Sequence, residues 1–197
     1  MTEEGFVLEH CRKNCVKSTQ DWSLLYEQLN QLFQDMNFST HLATKFSSVH
    51  YHHLPKIGLA GCPNACSQPQ IKDIGIIGYL LPKFTDDHCT GCQACIRSCQ
   101  EKALTWQEGL VFNEELCLGC GDCIRTCKTG KIVSGESGWN LYLGGRLGRK
   151  PKLARLSKEK FRSDKVYQRI GLLLEDYLEN SLPNERLTHF LDRRTEL

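Results

Sequence analysis

The sequence predicts an α+β fold, in which an α/β host domain is interrupted by a small cysteine-rich module. Three observations carry that prediction. Eight of the twelve cysteines fall in one short stretch as a repeated run. Two apolar, strand-like segments stand just before that run, and helical patterns lie on both sides of it. The expected division gives residues 83–133 to the module and residues 1–82 with 134–197 to the host.

A length of 197 residues suits one domain, or one domain carrying a small insert. With 40% hydrophobic and 24% charged residues and a net charge of +2, the chain does not read as a disordered tail or a bulk nucleic-acid binder. The N-terminal stretch MTEEGFVLEHCRKNC is polar and lacks the apolar core of a secretory signal. No stretch approaches the roughly 18–20 apolar residues of a membrane span. The expectation is a cytoplasmic, reducing and anoxic setting. There, twelve cysteines point to metal-binding thiolates and not to disulfides.

In the host, Asp21–Met36 has the pattern of an amphipathic helix. Trp22, Leu25, Leu29, Leu32 and Met36 share one stripe, and Asp21 is the expected N-cap. The helix should cover a sheet built from two strands, Ile57–Ala60 and Ile74–Leu80, with Gly61-Cys62-Pro63-Asn64 breaking the first into a turn. His50, His52 and His53 precede the first strand. They read as loop residues, with haem contact or proton supply as the alternative.

The module holds Cys89, Cys92, Cys95 and Cys99, then Cys117, Cys120, Cys123 and Cys127. Each set reads C-x2-C-x2-C-x3-C, and the second follows the first by 28 residues, with Gly91/Gly119, Ile96/Ile124 and Arg97/Arg125 repeating in step. Three thiolates at this spacing wrap one face of a cubane, while the fourth is carried round to the other cluster. The reading is a bacterial-ferredoxin-like module with two 4Fe–4S clusters. Cys89, Cys92, Cys95 and Cys127 ligate one, and Cys117, Cys120, Cys123 and Cys99 the other. Structural zinc is the competing reading, but it favours two separated pairs. Gln100 and Lys128 stand where a proline often follows the fourth cysteine.

Cys11, Cys15, Cys62 and Cys66 remain, as two C-x3-C pairs separated by 46 residues. Each pair can grip one edge of a metal centre. The stretch from Gly61 to Gly78 resembles the 4Fe–4S half of siroheme-dependent sulfite and nitrite reductases of the anaerobic and dissimilatory type. The resemblance resumes at Gly138–Ala154 (GWNLYLGGRLGRKPKLA) and runs through NERLTHFLDRR. It implies a third 4Fe–4S cluster on these four cysteines, with Cys66 in the position that bridges to siroheme. The first pair departs from the family, whose spacing there is usually x5. Zinc, or a partly used set, is the alternative.

Gly145–Lys165 holds nine of the 25 basic residues. Its front part, with Arg146, Arg149, Lys150 and Lys152, can wrap an anion with backbone amides and guanidinium groups. By resemblance it lies where the reductases hold siroheme carboxylates; a solvated loop or a docking patch for an acidic protein is the other reading. Lys165–Asn180 and Asn184–Arg194 read as closing helices separated by Pro183. In the family an additional N-terminal region helps cradle siroheme, and the ten residues before Cys11 do not supply it. The favoured function is therefore electron transfer, with a redox partner protein or subunit and no nucleic acid. The alternative is a small siroheme-dependent sulfite or nitrite reductase fed by its own module.

Overall fold

The computed structural model describes residues 5–194. The chain opens with a short strand, β1 (Val7–His10), then two helices, α1 (Ser23–Asp35) and α2 (Phe38–Lys45). Strands β2 (Lys56–Ala60) and β3 (Ile74–Phe84) follow, joined through a 3-10 turn at Pro69–Ile71. Between β3 and the long β6 (Ile132–Leu143) lie α3 (Ala94–Ser98), β4 (Leu104–Trp106), β5 (Leu110–Phe112) and α4 (Asp122–Thr126). The chain closes with β7 (Arg155–Phe161), α5 (Ser163–Asn180) and α6 (Leu187–Arg193).

The main sheet has the order β1-β2-β3-β6-β7. The first three strands are parallel, while β6 runs antiparallel to β3, and β7 to β6. Ile57, Leu59, Ile74, Ile76, Trp139 and Leu141 share one face and are essentially buried. Against them pack Leu25, Leu29 and Phe33 of α1 and Val166, Ile170 and Leu174 of α5. Period-2 strands and period-3.6 helices thus meet in one apolar core. Trp139, fully buried, donates its indole N–H to Ser163 Oγ at the start of α5 (2.9 Å), so the polar edge of this ring is satisfied.

The opposite face of the sheet is nearly bare at its centre. Gly58 and Gly75 are register partners, and a Cβ on either would lie within 2.9 Å of Pro69. Two missing side chains let the chain fold back flat over the sheet. The hairpin of β3 and β6 extends past the main core, and at its far end Phe84 and Ile132 join Leu104, Leu110 and Phe112 in a second, smaller core.

Several sequence expectations shift. The α1 helix starts at Ser23, with Trp22 as N-cap; the Asp21 carboxylate instead accepts the Ser23 N–H (2.9 Å), one position earlier than a capping residue sits. Strand β1 and helix α2 are too short to stand out by periodicity. The back half of the basic segment is not a loop: Arg155, Lys158 and Lys160 belong to the edge strand β7, where charge on the exposed side discourages pairing with another chain.

Candidate iron–sulfur sites

The stretch between β3 and β6 is two copies of one small unit. In each, a loop carries the first two cysteines, a five-residue helix holds the third, and the fourth is the helix C-cap. At 1.5 Å rise per residue the fourth sulfur-bearing residue is roughly 6 Å further along the axis than the third. It is thereby carried a full turn beyond its own loop. Cys89, Cys92, Cys95 and Cys127 line one cavity of about 410 Å³. Cys99, Cys117, Cys120 and Cys123 line a second, of about 200 Å³. The cysteines are thus sorted three-plus-one across the two runs.

The repeated neighbours have visible work. Gly91 and Gly119 take left-handed backbone conformations (φ +68° and +70°) that a side chain would strain. Arg97 donates to the Cys92 carbonyl (3.1 Å) and Arg125 to the Cys120 carbonyl (2.6 Å), so each helix braces its own cysteine loop. Burial raises the Cys95 and Cys117 thiols and pushes Cys123 up to about 12, with Cys120, Cys117 and Cys99 adding to it. Thiols in such surroundings ionise only when positive charge, such as iron, arrives.

The other four cysteines sit where two parallel strands end. Register pairs His10 with Leu59, so Cys11 leaves β1 level with Ala60, one residue before the turn that carries Cys62. The Gly61 N–H donates to Cys11 Sγ (3.3 Å), and Cys11 N–H to the Leu59 carbonyl (3.0 Å). Thr19 and Gln20 both donate backbone N–H to the Gly61 carbonyl, tying the Cys15 loop to the Cys62 loop. Burial raises the Cys62 thiol, and Cys11, Cys15 and Cys66 raise it further, so all three lie within electrostatic reach of Cys62. Cys62 is buried and Cys66 exposed. Among the described residues no three His, Cys, Asp or Glu side chains converge to the spacing of a single metal ion. Each quartet of the repeated runs instead lines a cavity.

Lys17, Pro63, Asn64 and Pro82 border the cavity of Cys99, Cys117, Cys120 and Cys123. The first three stand within two residues of Cys15, Cys62 or Cys66. Lys17 also pairs with Asp122 (2.7 Å), the first residue of α4, and Leu80 of β3 donates its N–H to the Gly119 carbonyl (2.8 Å). Lys17 and Asp122 escape sequence reading because they are 105 residues apart, and nothing local marks either as a partner.

The basic loop lies elsewhere. Leu143 pairs with Ile74, so the chain after β6 emerges where β2 and β3 begin, roughly 16 Å along the strand from Gly61. Arg146 and Lys152 both pair with Asp192 of α6. Arg149 and Lys150 are exposed beside a larger cavity of about 770 Å³, which His52 and His53 also line. The structure does not bring these four basic residues together with the cysteines. No described helix is long and apolar enough to cross a membrane.

The mixed α/β fold and its cysteine sites define an iron–sulfur protein built on the sulfite and nitrite reductase plan. The chain belongs to the nitrite and sulphite reductase 4Fe-4S domain family, whose model matches residues 7–195. It is 44% identical over 95 residues to the coenzyme F420-dependent sulfite reductase of Methanocaldococcus jannaschii, covering 48% of this chain and 15% of that protein. It is 36% identical over 81 residues to a subunit of the anaerobic sulfite reductase of Salmonella typhimurium, covering 39% of this chain and 24% of that one. The chain therefore spans less than a quarter of either relative. Two solved structures share the fold at 19% identity. Dissimilatory sulfite reductase I aligns with TM-score 0.63 over 95% of this chain and 49% of its own, and NirA of Mycobacterium tuberculosis with 0.51 over 94% and 25%.

Proposed function

We propose that this chain is an electron-transfer protein or subunit with three 4Fe–4S clusters, two of them in a ferredoxin-type module at residues 83–133. The third belongs to the host, residues 1–82 with 134–197, and is held by Cys11, Cys15, Cys62 and Cys66. The single observation that carries the reading is the order of the three cysteine sets. The cavity of Cys99, Cys117, Cys120 and Cys123 is walled on one side by residues adjoining the host set. The cavity of Cys89, Cys92, Cys95 and Cys127 has no lining residue from that neighbourhood. Electrons entering at the outer set would pass through the middle one to the host set, or the reverse. When bound, each cluster accepts or releases one electron, and the protein supplies its ligands, burial and neighbouring dipoles.

A four-cysteine cavity fits a cubane because it combines soft thiolate donors, left-handed glycines that admit close backbone approach, and enclosed volume. The chain would hold its clusters in a reducing cytoplasm and exchange electrons with a partner protein or subunit. The second reading, a small siroheme-dependent sulfite or nitrite reductase, is favoured by the exposure of Cys66, the residue that would bridge to the haem. In that reading Arg146, Arg149, Lys150 and Lys152 would face the haem carboxylates, although two of them already pair with Asp192.

The deciding experiment is an ultraviolet–visible spectrum of protein purified without oxygen, with iron and sulfide assayed on the same sample. About twelve irons per chain without haem bands supports the three-cluster carrier. Siroheme bands move the chain to the reductase reading. About eight irons would mean that the host cysteines hold something other than a cubane.

A further inference from the structure

The cavity of about 770 Å³ opens away from the cysteine loops. Three segments far apart in sequence build its wall: the histidine loop before β2, the 146–150 loop after β6, and the turn between α5 and α6 together with the start of α6. Arg146, Arg149, Lys150 and Arg186 line it, and no carboxylate is among the described residues that do. The nearby acids are already engaged: Asp192 by Arg146 and Lys152, Glu185 by Arg193, and the buried Asp73, which shares the adjoining cavity with Arg186, by the Lys56 N–H. Arg149 and Lys150 have no ion pair among the described residues. Among the described residues the Arg186 guanidinium hydrogen-bonds the His52 carbonyl (3.4 Å) and His189 Nε2 (2.8 Å) and no carboxylate. A guanidinium can donate to an imidazole nitrogen only when the ring is neutral. The cleft thus holds concentrated positive charge with weak neutral acceptors where carboxylates would otherwise sit.

We propose that this cleft binds a small, multiply charged anion, one bearing two or more phosphate or carboxylate groups, between the Arg149–Lys150 loop and Arg186. Its concave shape and volume suit a compact molecule. Forked guanidinium groups are the natural partners of both oxyanion types. The cleft is independent of the electron-transfer reading, since no lining residue belongs to a cysteine loop.

The histidines provide a second readout. Burial lowers all three pKa values, and neighbouring cations lower them further. Arg186, His50 and Lys56 act on His52; His52, His50 and Arg186 act on His53 against a Ser48 backbone bond; Arg186 and Arg146 act on His189 against Asp192 and Glu185. A bound anion cancels that field and favours the protonated rings, so binding strengthens as pH falls.

The test is calorimetric titration of the full, cluster-loaded chain with inorganic pyrophosphate and, separately, with citrate, at pH 6.5 and 8. The expected result is one anion per chain, bound more tightly at pH 6.5, with about tenfold weaker binding in Arg186→Gln and in the Arg149→Ala/Lys150→Ala double variant. Unchanged cluster absorbance shows that the variants remain folded. A preference for pyrophosphate assigns the site to phosphate ligands, and a preference for citrate to carboxylates. Absence of saturable binding by either, or equal affinity in the double variant, overturns the proposal. So does loss of pyrophosphate binding on loading with siroheme, which would give the cleft to the haem's own carboxylates.

Discussion

Asp73 is a carboxylate held in the protein interior at the start of β3. Burial pushes its pKa up to about 6, although the Lys56 N–H donates to it (2.6 Å) and Lys56 and Arg186 lie near. The folded chain therefore holds this proton more tightly than the unfolded chain, whose reference pKa is 3.8. Stability falls as pH rises from about 4 to 6 and is then level, as far as this group is concerned. Asp73→Asn keeps an acceptor for Lys56 and removes the buried charge. We expect it to stabilise the chain by roughly 1–3 kcal/mol at pH 7.5 and by less at pH 5, measured by chemical denaturation under anoxic conditions. A second residue-scale prediction concerns Cys66. On the three-cluster proposal, Cys66→Ser should remove the host cluster and leave the other two, lowering iron from about twelve to about eight per chain. Unchanged iron content would remove Cys66 from the ligand set.

At the scale of elements, the cysteine loop depends on two glycines that carry no chemistry. Gly58 and Gly75 sit side by side on adjacent strands, and the Pro69 turn lies directly on them. A Cβ at Gly75 would come within 2.4 Å of the Pro69 carbonyl oxygen, a backbone atom that cannot swing aside. Gly75→Ala should lift the Cys62–Lys72 segment from the sheet and, on the three-cluster proposal, cost the host cluster while sparing the other two. Iron analysis and the cluster absorbance report this directly. On the other face, Leu29 of α1 is fully buried in the main core. Leu29→Ala should destabilise the chain by about 2–5 kcal/mol through the cavity it leaves, without changing the number of clusters bound. The short helices α3 and α4 behave differently, since five residues cannot hold a helix alone. Their order rests on the packing and ligands around them.

For the whole molecule, the β3–β6 hairpin joins two cores of unequal means. The main core buries a full set of aliphatic and aromatic side chains, whereas the inserted stretch has only a few and counts its own cysteines among them. Removing iron with a chelator should therefore unfold residues 85–131 and leave the five-stranded sheet intact. Hydrogen exchange would show lost protection in that stretch alone; retained protection there would contradict it. Across the junction, Lys17 pairs with Asp122. That pair is half exposed and contributes little to stability. On the electron-transfer proposal, Lys17→Glu, which sets two like charges against each other there, should instead slow electron transfer between the middle and host sites, read by stopped-flow reduction, while iron content stays the same.

Much of the site was legible in the amino-acid sequence. The x2-x2-x3 runs and their 28-residue repeat are local patterns set by the reach of neighbouring thiols, and they named the cysteines without any knowledge of the fold. The apolar runs Ile57–Ala60 and Ile74–Leu80 and the stripe of α1 were legible for the same reason: periodicity is written along the chain. Tertiary structure alone decided what depends on strand register and long loops. It set Cys11 beside the Cys62 turn, Lys17 against Asp122, Gly58 against Gly75, and Arg149 and Arg186 on one cleft. It also turned half of the basic segment into an edge strand. Spacing along the chain determines which residues can share a turn or a helix; only the parallel pairing of β1, β2 and β3 and the reversal at β6 determine which turns meet.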